Sequence, residues 1–257
     1  MTTARTPEHE LSTGARPIGA TDESTAAAKV QRMFDTIAPA YDRANHLLSA
    51  GIDRSWWTRT ARLFRPLLQY PEAVALDLCC GTGDMTMALL KHRPSATHTA
   101  PILAVDFSHQ MLTLGQKKFA GKNVFPIEAD ALHLPVADAS VDLVTSAFGF
   151  RNLANYEEGL AEILRVLRPG GQLGILECNQ PEGLTGAIYN IYFKSILPKL
   201  GGFITGNEPA YSYLNSSVER FPRPPRMIEL LRNAGFANPT WTSYTFGVVG
   251  LYHAAKP

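Results

Sequence analysis

Two hydrophobic rhythms alternate along this chain. Short continuous apolar runs occur at Val74–Leu78, Ile102–Val105, Val124–Ile127, Val141–Phe148 and Leu173–Leu176. Each is short enough for a buried strand and ends in an acid or a turn signal. Between them, apolar residues recur at helical spacing, as in Leu160, Ile163, Leu164 and Leu167 behind the capping residue Asn155. A helix is also expected from Met85 to Lys91, another from Arg226 to Asn233 closed by Gly235, then a hairpin of Thr240–Phe246 and Val248–Ala254 around Gly247. The alternation predicts an α/β fold with a mostly parallel sheet.

Upstream, Val30, Met33, Phe34 and Ile37 form an amphipathic stripe that Pro39 is expected to stop, and Ile52, Trp56, Thr60, Leu63 and Leu67 mark a second helix. Between the two stripes, Tyr41, Asp42, Asn45 and His46 crowd polar groups into a region otherwise set for packing. They read either as a capped helical lid or as the wall of an acceptor pocket. Residues 184–204 are apolar almost all round, which suits a buried helix or a flap over a lipid-like substrate. The expected division is a flexible tail over 1–25 and one domain over 26–257. Within that domain lie a helical lid (26–70), a cofactor-binding core (71–180), an apolar substrate-covering insertion (181–225) and a closing helix and hairpin (226–257).

Composition narrows the function. The chain has 257 residues, 45% of them hydrophobic, and a net charge of +1, which allows one large core and gives no sign of broad nucleic-acid binding. Cys79, Cys80 and Cys178 have no ligand spacing, so no metal is expected, and they read as small buried residues of a reducing compartment. The start carries no secretory signal pattern, and no apolar run is long enough to span a membrane. A cytoplasmic protein, peripheral to the inner face of the membrane if it touches one at all, is expected.

The candidate chemistry lies where the first strand ends, in Asp77-Leu78-Cys79-Cys80-Gly81-Thr82-Gly83-Asp84. Gly81 and Gly83 permit positive φ and close approach of a ligand, and the following helix start offers free N–H groups. Asp106 closes the second strand, where a carboxylate accepts both ribose hydroxyls, and Asp130 follows the third, within reach of an adenine amino group. Together they predict a bound adenosine. A dinucleotide site wants glycine at 86, where this chain has Thr86, and Asp84 would repel a pyrophosphate. Asp77 and Asp84 better suit a cationic cofactor without phosphate, such as S-adenosyl-L-methionine.

Two longer stretches resemble a known family. Tyr41-Asp42-Arg43-Ala44-Asn45-His46-Leu47-Leu48-Ser49 with Trp56, and Arg165-Val166-Leu167-Arg168-Pro169-Gly170-Gly171 with Glu177, look like the signatures of the quinone-biosynthesis C-methyltransferases. The likeness continues through Phe148-Gly149-Phe150-Arg151-Asn152 and Tyr213-Leu214 to Phe221-Pro222, and covers nearly everything from about residue 29 onward. The departures are Ala44 for the usual Met, Asp53 for His, Arg168 for Lys, Asn179 for Ser, and Ala147 for a serine near the cofactor.

The resemblance implies a class I S-adenosylmethionine-dependent methyltransferase: Rossmann-like, with seven mostly parallel strands, helices on both faces and an antiparallel last strand. It implies methylation of a ring carbon of a lipophilic prenylated quinol, with demethylmenaquinol first and a ubiquinone-pathway benzoquinol second. Expected cofactor contacts are Thr82, Asp106, Asp130 and Ala131 by likeness, with Asp77, Gly81, Gly83, Phe107 and Ala147 beside them. Tyr41, Arg151 and Asn152 are the residues matched to acceptor activation. The ring carbon becomes nucleophilic when a neighbouring phenol, of pKa roughly 10, loses its proton. Arg151 is expected to stabilise that phenolate while water or His46 takes the proton, unless His46 is a structural cap. Pairing into a homodimer and contact with a membrane surface stay open.

Other readings compete. A methyltransferase for a soluble phenol would share every cofactor residue and would not need the apolar 184–204 stretch. An NAD(P) oxidoreductase is disfavoured by Thr86 and Asp84, and a non-catalytic subunit by the intact Gly81-Thr82-Gly83 and Asp106.

Overall fold

The computed structural model describes residues 14–94, 99–181, 183, 186 and 208–257. Among them, seven strands make one sheet: β1 (Ala75–Leu78), β2 (Ile102–Asp106), β3 (Val124–Glu128), β4 (Val141–Ala147), β5 (Leu167–Cys178), β6 (Ala237–Tyr244) and β7 (Val249–Ala255). Their order is β3-β2-β1-β4-β5-β7-β6, and only β7 runs against its neighbours. The chain reverses its direction of winding between β1 and β4, which are parallel neighbours in the sheet. A crevice opens at the carboxyl ends of strands at such a point, and ligands of open α/β sheets lie there.

The alternation of β-strand side chains feeds two cores. On one face, Ala75, Ile102 and Leu143 pack against Ala61 of α2 (Asp53–Leu63), Leu68 of α3 (Arg65–Leu68) and Leu89 of α4 (Asp84–Leu90). On the other, Leu76, Val144 and Ile175 meet Leu160 and Ile163 of α6 (Tyr156–Val166) and Leu231 of α8 (Pro224–Asn233). Helix α5 (His109–Phe119) follows β2, and α7 (Glu208–Arg220) precedes α8.

The long helix α1 (Glu23–Leu48) closes the crevice from above. A capping box at Asp22 and Thr25 starts it. It does not stop at Pro39, as its sequence led us to expect, but runs on for nine more residues to Leu48. An interior proline costs about 3 kcal/mol in an isolated helix. Here Ile37, Ala38 and Ala44 are buried on both sides of it against Met111 and Val218, so tertiary packing carries the helix across the break.

Two further expectations change. Of the tail expected over 1–25, residues 14–22 are held: Ala15 N–H donates to Leu153 O at 2.7 Å and Arg16 to Ala154 O at 2.7 Å. Arg168-Pro169-Gly170-Gly171, expected as a turn before the fifth strand, lies inside β5 as an irregularity, with Gly170 at φ 78° and the register jumping between Val141 and Leu143. The apolar 184–204 stretch lies outside the described residues apart from residue 186.

Candidate active site

The cofactor crevice is built by backbone conformation before any side chain is chosen. The turn after β1 places Cys79, Gly81 and Gly83 at φ of 54°, 55° and 87°, which brings successive N–H groups toward one point. Gly81 has nothing within 4 Å of where a Cβ would stand, so its bare face opens on free space. Across from it, a Cβ on Gly149 would lie 2.3 Å from the Cys79 Cβ, so the β4 end packs against the turn only as glycine. The crevice has an empty volume of about 1030 Å³ with its open mouth included.

Ten of the residues expected from sequence line it. Asp77, Gly81 and Thr82 come from β1 and its turn, Asp106 and Phe107 from the end of β2, and Asp130 and Ala131 from the segment after β3. Ala147 comes from β4, Tyr41 from α1 and Asn152 from the short turn after β4. Gly83 stands just behind them, at the start of α4. Cys79 and Cys80 also line the crevice, but burial pushes both thiols well above their ordinary pKa, so neither is a ready nucleophile.

The three acids differ in environment. Asp77 is fully buried and accepts from Thr86 Oγ1 at 2.6 Å and Thr145 Oγ1 at 3.0 Å, and burial pushes its pKa up to about 7. Asp106 accepts from Gly81 N–H at 2.7 Å and Ser108 N–H at 2.9 Å, with burial raising it to about 6. Both are carboxylates held out of water with no cation beside them among the described residues, a setting that favours a positively charged ligand. Asp130 is exposed, and Leu132 N–H occupies one of its oxygens at 3.0 Å. A cofactor with cationic groups at one end and an adenosine at the other fits this donor and acceptor set.

Asp84 and Thr82 are engaged differently from the sequence expectation. Lys118 of α5 pairs with Asp84 and with Asp42 of α1, both at 2.7 Å, and Thr82 Oγ1 donates to Asp42 at 2.5 Å. The charge of Asp84 is therefore met from within the protein. Two more ties run from the same face of α1: Gln31 Nε2 donates to Phe107 O at 2.6 Å, and Ser108 Oγ donates to Asp35 at 2.6 Å. Sequence reading missed Gln31, Asp35 and Lys118. The signal was a polar stripe at 31, 35 and 42, one helix face away from the apolar stripe.

Beside the crevice lies a second, smaller chamber of about 400 Å³ that shares Phe34, Tyr41, Asn45 and Asn152 with it. Met33, Ile37 and Leu214 make its walls apolar, and Arg151 and Tyr213 give it polar ends. Arg151 is 5% exposed and paired with fully buried Glu177 at 2.7 Å. Burial works to lower its pKa, but the Glu177 carboxylate raises it above the ordinary value, so the guanidinium stays charged. Its Nε has no hydrogen-bond partner among the described residues. Asn152 Oδ1 accepts from Tyr213 OH at 3.2 Å. Burial pushes Tyr41 up to about 12, with Arg151 pulling the other way, so its phenol is protonated at neutral pH.

His46 is not brought to either cavity. Its Nδ1 lies 2.6 Å from Asp53, which is 3% exposed, and its ring meets Trp57 edge-on at 5.9 Å. The pair ties the end of α1 to the start of α2.

The chain is similar to known proteins over nearly its whole length. The model of the ubiE/COQ5 methyltransferase family matches residues 22–256. A demethylmenaquinone methyltransferase of Deinococcus radiodurans is 44% identical over 93% of this chain and 97% of its own length. One from Thermus thermophilus is 43% identical over 88% of this chain and all of its own length. A ubiquinone/menaquinone biosynthesis C-methyltransferase UbiE from Geotalea daltonii is 38% identical over 89% and 96%. Among solved structures, the [4+2]-cyclase SpnF shares the fold with a TM-score of 0.64 at 16% identity, covering 95% of this chain and 99% of its own. A possible histamine N-methyltransferase from Thermotoga maritima shares it at 0.62 and 17%, covering 89% and 100%. With the crevice, its acids and nearly the whole chain accounted for in this way, the chain belongs to the ubiE/COQ5 methyltransferase family and is an S-adenosyl-L-methionine-dependent methyltransferase.

Proposed function

We propose that the protein methylates a ring carbon of a prenylated quinol, converting demethylmenaquinol to menaquinol. The observation that carries this reading is the apolar chamber beside the cofactor crevice, with a charged arginine in its wall. The relatives named demethylmenaquinone methyltransferase support the choice of a naphthoquinol. The bound cofactor supplies an electrophilic methyl group.

The protein's own part is positioning and charge stabilisation. Tyr41 and Asn152, which line both cavities, orient the quinol oxygens: Tyr41 as a hydrogen-bond donor, Asn152 through the amide nitrogen that Tyr213 leaves free. Arg151, in the chamber wall, sets its positive charge beside the oxygen that gains charge as the ring phenol ionises. Glu177 fixes the guanidinium and keeps it charged, and an arginine in that state is a stabiliser and not a base. The phenol proton passes to water, because His46 is committed to Asp53. Phe34, Met33 and Ile37 exclude water from the ring face.

Methyl transfer from labelled S-adenosylmethionine to short-chain demethylmenaquinol and to its benzoquinol counterpart, both kept reduced, tests this directly. Transfer to the naphthoquinol is expected. Transfer only to the benzoquinol would overturn the menaquinone assignment, and cofactor binding without transfer to either would overturn the quinol reading.

A further inference from the structure

We infer that the outer face of the α1–α2 junction, α2 and the β6–β7 turn docks onto an anionic lipid bilayer. Between Arg43 and Tyr70 the chain carries five arginines (43, 54, 59, 62 and 65), all exposed, and a single acid, Asp53. That acid is buried and paired with His46, so it does not face outward. None of the five arginines makes an ion pair among the described residues, although Arg59 lies over the Tyr244 ring at 4.0 Å. The whole chain is only +1, so the positive charge is gathered here and not spread.

The crowding is felt locally. His92, at the end of α4, is held below its ordinary pKa first by burial and then by Arg65, Arg62 and Lys91. Cations kept this close without an acid between them repel one another, and a negatively charged surface relieves that repulsion.

Apolar side chains stand among the arginines. Leu47 is 61% exposed, Leu63 48% and Ile52 43%. Phe246, 86% exposed, projects from the β6–β7 turn, and Trp56 Nε1 of α2 donates to the adjacent Thr245 at 2.7 Å. That bond joins turn and helix into one surface. A nucleic-acid backbone would satisfy the arginines but not these apolar tips, whereas a lipid headgroup layer over acyl chains takes both. The choice of a bilayer draws on the lipophilic acceptor proposed above. Tyr41, Asn45 and Trp57 of the same two helices line the cofactor crevice, so the docking face is carried on elements that also wall the site.

The test is sedimentation of the full chain with vesicles that contain no quinone, so that it reads docking and not catalysis. Vesicles of phosphatidylcholine alone are compared with phosphatidylcholine mixed with phosphatidylglycerol, at low and high salt. Strong, salt-sensitive binding to the anionic vesicles only is expected. R54Q/R62Q/R65Q should weaken it about a hundredfold, at about fivefold per arginine. The same variant should keep wild-type methyl transfer to a short-chain acceptor in solution, which shows that it is folded. K122Q/R232Q, which alters exposed cations elsewhere, should bind as wild type. Equal binding to both vesicle types, indifference to the triple substitution, or salt-sensitive binding to duplex DNA with none to vesicles would overturn the proposal. Failure of transfer to any quinol, with vesicle binding intact, would count against the proposed substrate and leave the docking face standing.

Discussion

The cofactor crevice and the acceptor chamber share four residues but are held together by different means. The crevice is local and made of backbone: a five-residue turn after β1, with positive φ at Cys79, Gly81 and Gly83, and single acids at strand ends. The chamber is assembled from distant pieces. Its charge comes from Arg151 against Glu177 on the neighbouring strand β5, its lid from α1, and its far wall from α7. The crevice should therefore fail through small steric changes, and the chamber through loss of a single long-range partner.

The largest expected effect is at Glu177. Replacing it with Gln leaves the Arg151 guanidinium buried without its counter-charge, and breaking a buried pair in this way costs about 3–5 kcal/mol. Denaturant unfolding of Glu177→Gln should show that loss. A loss under 1 kcal/mol would mean that the pair is looser than its geometry implies.

The next effect belongs to the crevice. Gly149→Ala places a Cβ 2.3 Å from Cys79 and must displace the turn, at about 1–3 kcal/mol. Calorimetry on the folded variant should show cofactor affinity falling at least tenfold, about 1.4 kcal/mol. Unchanged affinity would mean that the turn is not held by this contact.

The buried acids sharpen the comparison through pH. Asp77 titrates near 7 in the folded chain against an ordinary value of 3.8. Its protonated form is favoured by folding, so its contribution is fully present below about 4 and is lost as pH rises through about 7. The stability difference between wild type and Asp77→Asn should therefore move against the wild type across that window, by at most about 1.4 kcal/mol per pH unit. Cofactor affinity should run the other way, rising in the wild type as Asp77 ionises, and in Asp77→Asn only the part owed to Asp106, near 6, should remain. A parallel pH dependence in the two proteins would remove Asp77 from the account.

The smallest effect is at the latch. Lys118→Met removes two half-exposed ion pairs, each worth about 0.2–1 kcal/mol, and should weaken cofactor binding only a few-fold by loosening α1. A change of a hundredfold would make Lys118 a direct cofactor contact.

The same contrast decides how much was legible in the sequence. Strands β1 to β4, the Gly81-Thr82-Gly83 turn, the Asn155 cap and the acids at 106 and 130 are local features, and the folded chain keeps them where they were expected. Pro39 misled because the chain's own signal for a helix end was overruled by packing on α5 and α7. Asp84 misled because its counter-ion, Lys118, lies 34 residues away on another helix. Arg151 was expected to stabilise a phenolate with no partner assigned to it, and Glu177 reaches it only once β4 and β5 pair side by side. What the sequence hid was the partner of each charge, not the charge itself.

In the proposed mechanism, cofactor binding and acceptor activation reside in separable compartments, with Arg151 on the acceptor side alone. The direct measurement is turnover with reduced demethylmenaquinol together with the S-adenosylmethionine Kd, in the wild type and Arg151→Lys. A Kd within about twofold and a kcat lower by at least about a hundredfold are expected, the usual scale for losing a charge-stabilising donor. Near-normal turnover, or a Kd that rises in step with the loss of kcat, would contradict it.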